Sequence, residues 1–282
     1  MTSDLDLAID QLEDLTDSID YAVIGPHDSR THEIRTTRFP FNTICHVERD
    51  FGDGIWRGCS GTLIGPQKVL CAGHCLYNHR LKKAPVRVRV SPGRADRDTR
   101  PYGSLMVLRS YVPRRYVHPR TGSDLRNYDY GLAILPQPFK GLHTFMDVRA
   151  LSNAELEKMR HQRLISIAGY PADRPVGTLW RHSERLTRAG PRRLYYTIDT
   201  CPGHSGSSIW FLCPRHARRH VIGIHTSGPI DEAGRAFGCS PGTVFAPQGF
   251  MNSGVRITDE VLANINNPAR KVGGVGKMIR FP

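Results

Sequence analysis

The feature that most constrains this chain is a succession of short β-type segments between residues 36 and 257, separated by Gly, Pro, Asn and Asp. Short strands at regular spacing with such turns are typical of a β-barrel or a β-sandwich. The 27 glycines and 20 prolines argue against a long helical bundle. We therefore expect an all-β protein. The segments are FNTICHVE, GTLIGPQKVLCAG, VRVRVSPG, SLMVLRSYV, YGLAILP, RLISIAGYP, RLYYTID, SSIWFL and HVIGIHTSG.

Two helical patterns interrupt the β-type segments. The first covers residues 152–160, where Ser or Asn caps its start, and it predicts a connector between two β halves. The second covers residues 258–265, with Thr258 as N-cap, and it predicts a short C-terminal helix. The pattern places the first half at about 38–135 and the second at about 160–257.

The two ends of the chain differ in charge. Residues 1–22 carry seven acidic side chains and no lysine or arginine, and their apolar residues recur at three- and four-residue steps. This spacing predicts an acidic amphipathic helix, and the segment lacks the features of a signal peptide, so the sequence leaves the compartment open. Residues 267–282 are basic and Gly-rich, and we expect a tail or a loosely docked strap.

The formal net charge of +13 favours acidic partners. No apolar run approaches the roughly 18 to 20 residues that a membrane span needs, so we expect no membrane partner. Nucleic acid is a rival partner for a basic β protein. The chain lacks the interleaved aromatic residues of a base-stacking surface, so we expect no nucleic acid either.

Three segments combine a reactive side chain with small turn-forming residues. GHSGSS places Ser205 between glycines, VLCAGHC ends a β-type segment at His74, and NYDYGLAIL puts Asp129 just before an apolar strand. Taken alone, each has an ordinary explanation. The serine can lie in a solvated loop, the histidine on the surface or in the core, and the aspartate can cap a turn.

The three segments together are far more specific than any one of them. A serine hydroxyl is inert at neutral pH until a histidine accepts its proton and a carboxylate fixes the histidine tautomer. The order His74, Asp129, Ser205 is that of the chymotrypsin-like double barrel. A disulfide between Cys59 and Cys75 would brace the histidine loop.

The chain resembles the bacterial glutamyl endopeptidases, which are chymotrypsin-like serine proteases, over roughly residues 23–266. That resemblance implies a double β-barrel in which His74 is the general base, Asp129 orients it and Ser205 attacks the substrate. The N–H groups of Gly203 and Ser205 would form the oxyanion hole. The matching segments are VIGPHDSRTHEIRTTRFPF, GTLIGPQKVLCAGHC, VSPGRADRDTRPYGS, NYDYGLAIL, AGYPADRPVGTLWRHS, YTIDTCPGHSGSS, GIHTSG and GVRITDEVLANI.

The resemblance also implies a substrate preference. In that family a hydroxyl five residues before the nucleophile and a histidine on the next strand bind a substrate carboxylate, and here these are Thr200 and His225. We therefore expect cleavage after Glu and, less well, after Asp. Asp199 stands where trypsins hold the acid that binds Lys or Arg, so trypsin-like cleavage is one alternative. A catalytically silent binding protein with a protease fold is another.

The same resemblance assigns residues 1–22 as a prosegment of a zymogen, because family enzymes begin near the sequence starting at Val23. His204 stands where trypsins have the aspartate that pairs with the new N-terminus, so that pair cannot form here. The seven cysteines leave at least one thiol unpaired, and Cys201 could pair with Cys239, as in trypsin, or with Cys213. We expect a monomer that acts on polypeptides, with a preference for acidic ones, and that needs no cofactor or metal.

Overall fold

A computed structural model of the protein describes residues 22–240 and 242–282. The expected acidic helix, apart from Ala22, lies outside these residues. No helix in the described ranges is long and apolar enough to cross a membrane. The described strands form two eight-stranded sheets and a small two-stranded ribbon.

The first sheet forms the first barrel. Its strands follow the order β18-β7-β8-β4-β3-β2-β5-β6, and every neighbouring pair is antiparallel. The row has two edges, at β18 and β6, so this barrel is not closed. Its strands are β2 (Ile44–Asp50), β3 (Arg57–Gly65), β4 (Lys68–Cys71), β5 (Arg87–Pro92), β6 (Leu105–Met106), β7 (Arg109–Pro113), β8 (Gly131–Ile134) and β18 (Met278–Phe281).

The second sheet closes on itself. Its main path is β1-β11-β10-β13-β14-β15-β12, and an additional pairing of β12 with β11 completes the ring, while β9 pairs in parallel with β14. The chymotrypsin-like arrangement of two barrels is therefore confirmed. The strands are β1 (Thr31–His32), β9 (Asp147–Val148), β10 (Leu164–Gly169), β11 (Trp180–Ala189), β12 (Arg193–Tyr196), β13 (Ser208–Cys213), β14 (Arg218–Ser227) and β15 (Asn252–Arg256).

Both predicted helices are present, with the expected caps. Ser152 accepts a hydrogen bond from the N–H of Glu155, whose carboxylate accepts the N–H of Ser152 in return, so a capping box starts the connecting helix. Thr258 accepts the N–H of Val261 at the start of the last helix. The helices are α1 (Arg114–Val117), α2 (Gly122–Asn127), α3 (Asn153–Gln162) and α4 (Asp259–Asn266), and a 3₁₀ turn covers Phe41–Thr43.

Residues 267–282, for which a tail or a loosely docked strap is expected, dock onto the first barrel. After α4, the chain forms the two-stranded ribbon of β16 (Lys271–Val272) and β17 (Val275–Gly276). It then pairs β18 with β7, where Met278 lies opposite Pro113 and Phe281 opposite Ser110. The sequence shows this strand only weakly, because its four residues stand among glycines and basic residues and lack alternating burial: Met278 is buried, but Arg280 on the same face is exposed.

Each barrel buries its own apolar core. The second barrel encloses a cluster formed mainly by Ile, Leu and aromatic residues of its strands, onto which α3 packs Leu156 and Met159. The first barrel's cluster extends to the interface between barrels and includes Ala168 and Tyr170 from the second half. Burial of this apolar surface supplies the main favourable contribution to folding and fixes the two barrels against each other.

Candidate active site

His74 and Asp129 meet at the ends of two neighbouring strands of the first barrel. Cys71, at the end of β4, lies opposite Gly131, at the start of β8. His74 follows the first strand by three residues and Asp129 precedes the second by two, so the antiparallel pairing brings both to one end of the sheet. The two residues are 55 positions apart in the sequence, and the pairing of β4 with β8 brings them into contact.

Asp129 contacts His74 through both carboxylate oxygens. Its Oδ2 lies 2.8 Å from Nδ1 of the imidazole, and its Oδ1 accepts the backbone N–H of His74 at 2.9 Å. A carboxylate at Nδ1 holds the proton on that nitrogen and leaves Nε2 with the lone pair. The arrangement therefore prepares Nε2 to accept a proton.

Ser205 lies in a tight loop that precedes β13 of the second barrel. Gly203 and Gly206 flank it with φ angles of +94° and +86°. A Cβ at Gly203 would lie 2.4 Å from the carbonyl oxygen of Tyr170, and one at Gly206 would lie 2.2 Å from that of Ser60. Only glycine fits these positions, because a side chain would both strain φ and collide with the backbone.

Ser60 joins this loop to the first barrel, and sequence reasoning missed it. Its N–H donates to the carbonyl oxygen of Ser205 at 2.8 Å. Its buried hydroxyl donates to the carbonyl oxygen of Gly203 at 2.7 Å and accepts the N–H of Tyr170 at 2.9 Å. The small residues of the β3 segment CSG were the only sequence signal of this close approach.

Two disulfides support the loops of the site. Cys59 pairs with Cys75, as the sequence predicts, and so ties the residue before Ser60 to the residue after His74. Cys201 pairs with Cys239, which decides between the two partners that the sequence left open. The thiols of Cys45, Cys71 and Cys213 are free.

The two residues expected to bind a substrate carboxylate are both buried. Thr200 and His225 have no solvent-exposed surface. The Thr200 hydroxyl has no hydrogen-bond partner among the described residues, which is unusual for a buried polar atom. Nδ1 of His225 lies 2.7 Å from the hydroxyl of Tyr196, another buried residue that the sequence did not reveal.

Asp199 uses both carboxylate oxygens to hold the N-terminal part of the described chain. Oδ1 accepts the N–H of Ile24 at 2.8 Å, and Oδ2 accepts the N–H of Ser29 at 2.7 Å. Nδ1 of His182 accepts the N–H of Asp199 itself at 2.9 Å. The Asp199 side chain is 1% exposed, so its charge is compensated by backbone donors within the protein.

His204 is buried beside this network and is uncharged at neutral pH. Burial holds the pKa of its imidazole well below the usual range, and the positive charge of Arg30 acts in the same direction. Its Nδ1 accepts the N–H of Cys201 at 3.1 Å. His204 thus stabilises the loop before Ser205, while Asp199 anchors the N-terminal segment.

The segment that follows residue 21 is embedded beside Thr200. The carbonyl oxygen of Ala22 accepts the N–H of Thr200 at 3.1 Å and the amide Nδ2 of Asn252 at 2.9 Å. Val23 is fully buried in a small apolar cluster with the disulfide of Cys201 and Cys239. The chain therefore reaches the interior of the site at its first described residues.

The comparisons with known proteins agree with this geometry. The glutamyl endopeptidase of Bacillus licheniformis is 31% identical to this chain over 246 residues, which cover 87% of this chain and 68% of that protein. A Bacillus subtilis protein named an extracellular metalloprotease is 28% identical over 248 residues, covering 86% of this chain and 68% of that protein. A solved structure of a Glu endopeptidase in complex with MPD has a TM-score of 0.68 and 28% sequence identity, and the match covers 87% of this chain and 98% of that one.

The name of the second relative raises the question of a metal site. Among the described residues, the two groups of side chains close enough to share an ion each contain two cysteines. In both groups these cysteines form one of the two disulfides, leaving only His74 in the first and Asp173 in the second. Disulfide sulfurs are not the thiolates that bind metals, so these groups do not fit a metal ion.

The family is shown by the extent of the sequence match. Residues 29–244 match the trypsin family, and this range contains all three residues of the proposed triad. The similarity to the Bacillus licheniformis enzyme extends over most of the chain. The resemblance inferred from the sequence segments is thereby confirmed, and the chain belongs to the trypsin family and is a serine endopeptidase that acts on polypeptides.

Proposed function

We propose that this protein cleaves peptide bonds after Glu, and less well after Asp, through an acyl-enzyme formed on Ser205. His74 Nε2 takes the proton of the Ser205 hydroxyl as its oxygen attacks the substrate carbonyl carbon, and then gives that proton to the leaving amine. Water then attacks the acyl-enzyme while His74 accepts its proton, and the return of that proton to Ser205 releases the acid product. The double contact between Asp129 and His74 supports this assignment, because it favours the tautomer that can accept the proton.

The oxyanion hole in this proposal consists of the N–H groups of Gly203 and Ser205. The positive φ of Gly203 turns the backbone sharply just before the nucleophile, as an oxyanion hole requires. Ser60 supports the proposal because it binds the carbonyl oxygens of the same two residues, which holds the peptide unit that follows each donor and so limits movement of the loop. The rigidity matters because donors fixed in advance cost no reorganisation when charge develops on the substrate oxygen.

The hydrogen bonds of Asp199 favour Glu over Lys or Arg as the substrate residue before the cleaved bond. A substrate cation needs an acid whose oxygens face the substrate, but both oxygens of Asp199 accept backbone N–H groups. The Thr200 hydroxyl, by contrast, is buried without a partner among the described residues and can donate to a carboxylate. The hydroxyl of Tyr196 can donate to Nδ1 of His225 and so keep the imidazole proton on Nε2. From there the Nε2–H can be donated to the same substrate carboxylate. The net charge of +13 favours acidic substrates in addition.

The proposed carboxylate contact predicts the effect of Thr200→Val. Loss of a hydrogen bond to a charged group costs about 1.5–3 kcal/mol, which corresponds to roughly a ten- to hundredfold lower kcat/KM for a Glu peptide. The ratio of kcat/KM for Glu and Gln peptides should fall with it. Thr187→Val, which removes the same hydroxyl from an exposed position of β11, is the matched control and should leave the ratio unchanged. An unchanged ratio in Thr200→Val would exclude the hydroxyl from the pocket.

We also propose that residues 1–22 are a prosegment whose removal raises activity. The proposal is supported by the position of Ala22 and Val23, which are buried beside Thr200, so that cleavage after residue 20, 21 or 22 would free an amine near the pocket. A positive amine there would attract a substrate carboxylate. Intact-mass measurement of the purified active protein tests this: we expect a mass lacking the segment, and full activity with the segment attached would overturn the proposal.

A further inference from the structure

Two arginines that form no salt bridge with a described carboxylate lie near Asp129, whose charge attracts Arg193 from beyond salt-bridge distance. Arg126 is in the last turn of α2, three residues before Asp129, and Arg193 is the first residue of β12. The Arg193 guanidinium donates to the backbone carbonyl oxygen of Arg126, so the two residues are in direct contact. Among residues 22–240 and 242–282, no carboxylate oxygen lies within 4.0 Å of either guanidinium.

Both cations are largely shielded from water, Arg193 more completely than Arg126, which keeps part of its surface exposed. Arg193 is 6% exposed, and Nε of each guanidinium is buried without a hydrogen-bond partner among the described residues. Burial lowers the pKa of Arg126, and burial together with the charge of Arg126 lowers the pKa of Arg193 to about 10. Buried like charges destabilise each other, so an anion between them and the solvent would be bound favourably.

Arg193 also contacts the strand along which a substrate would lie. Its second terminal nitrogen donates to the hydroxyl of Ser253 at 2.6 Å, to that of Thr226 at 3.2 Å and to that of Ser227 at 3.3 Å. Thr226 and Ser227 directly follow His225, the proposed pocket residue. The cationic pair therefore lies next to the segment that leads away from the pocket.

One edge of this segment is open. The pairing of β14 with β13 ends where Ile224 lies opposite Ser208, and the nucleophile loop then bonds to His225. On the other side β15 continues to pair, with Ser253 opposite Ser227. Within the described chain, no strand pairs with residues 226–227 on the β13 side. An extended peptide can add itself to such an edge.

We propose, on the basis of the proposed function, that Arg126 forms a second anion subsite, which receives a Glu or Asp side chain two to four residues before the cleaved bond. Arg193 acts behind it by adding positive charge and holding its backbone. An extended substrate advances about 3.3 Å per residue, so these upstream residues pass along the open edge beside the arginines. A guanidinium binds a carboxylate through two parallel hydrogen bonds. The preferred substrates thus carry two acidic residues on the same side of the bond.

The experiment uses the full protein and peptides with Glu before the scissile bond. One set carries Glu or Gln in turn at the second, third and fourth residues before that bond. We expect kcat/KM to be about tenfold higher with Glu than with Gln at one of these positions, in keeping with a charge-assisted hydrogen bond. In Arg126→Gln this ratio should fall to about one, because the direct partner is lost.

Arg215→Gln is the matched control, since it removes the same charge from an exposed turn between β13 and β14. It should keep the ratio of the wild-type protein. An equal fall of the ratio in both variants would mean general electrostatic attraction and would overturn the inference. As a second variant, Arg126→Glu should reverse the preference, so that an upstream Lys is cleaved faster than an upstream Glu.

The same peptides separate this inference from the proposed function. Suppose the protein cleaves efficiently after Glu, but the ratio of kcat/KM for Glu over Gln is within twofold of one at the second, third and fourth residues before the bond. That result would overturn the second subsite and leave the proposed function intact. Failure to cleave any of the Glu peptides, with cleavage of an Arg or Lys peptide, would overturn the proposed function and the inference together.

Discussion

Ser205→Ala is expected to lower kcat for peptide hydrolysis by on the order of 10⁶, as when a nucleophile that acts as one unit with its base is removed. The Cβ remains, so Gly203, Gly206 and the bonds from Ser60 to the loop should be kept. The loss should therefore appear in kcat and in covalent chemistry and leave the melting temperature unchanged. Without the hydroxyl, no acyl-enzyme can form.

The measurement is steady-state hydrolysis of a Glu peptide together with labelling by a fluorophosphonate probe. Wild-type protein should gain one label, which peptide mapping should locate on Ser205, and the variant should gain none. Ser104→Ala removes a hydroxyl from an exposed position and should keep both activity and labelling. Residual hydrolysis by Ser205→Ala within tenfold of the wild-type rate would contradict the proposed mechanism.

Asp129→Asn is expected to lower kcat by about 10⁴. The Asn amide presents an N–H where Oδ2 now meets Nδ1 of His74, so the imidazole must keep its proton on Nε2. Nε2 then cannot accept the Ser205 proton. The backbone bond from His74 can persist to the remaining amide oxygen, so we expect the loop to stay in place.

The measurement for Asp129→Asn is kcat on the Glu peptide and the rate of fluorophosphonate labelling, which should fall in parallel because both need an activated serine. Asp98→Asn, at an exposed loop position, makes the same chemical change away from the site and should retain the wild-type rate. Activity within tenfold of wild type would mean that Asp129 does not set the tautomer of His74.

Much of the site could be predicted from the sequence because its signals are local. Each proposed triad residue stands at the junction of an apolar strand and a small-residue turn, and their order along the chain specifies the fold. The disulfide of Cys59 and Cys75 and the caps Ser152 and Thr258 follow from short segments in the same way.

The features that could not be predicted depend on contacts between distant segments. Whether Asp199 faces a substrate depends on the N–H groups of Ile24 and Ser29, about 170 residues away along the chain. The role of Ser60 depends on how closely the two barrels approach, and the docking of Met278–Phe281 depends on a free edge of β7. Neither edge availability nor interface distance leaves a periodic pattern in the sequence.

The proposed specificity is tested by hydrolysis of four peptides that are identical except for the residue before the scissile bond, which is Glu, Asp, Lys or Arg. We expect the highest kcat/KM for Glu and a lower value for Asp. The values for Lys and Arg should be lower than for Glu by about 10² or more, because a cation at Thr200 and His225 would lose its hydration without an acidic partner. Faster cleavage after Lys or Arg would contradict this specificity and would mean that Asp199 turns toward the substrate.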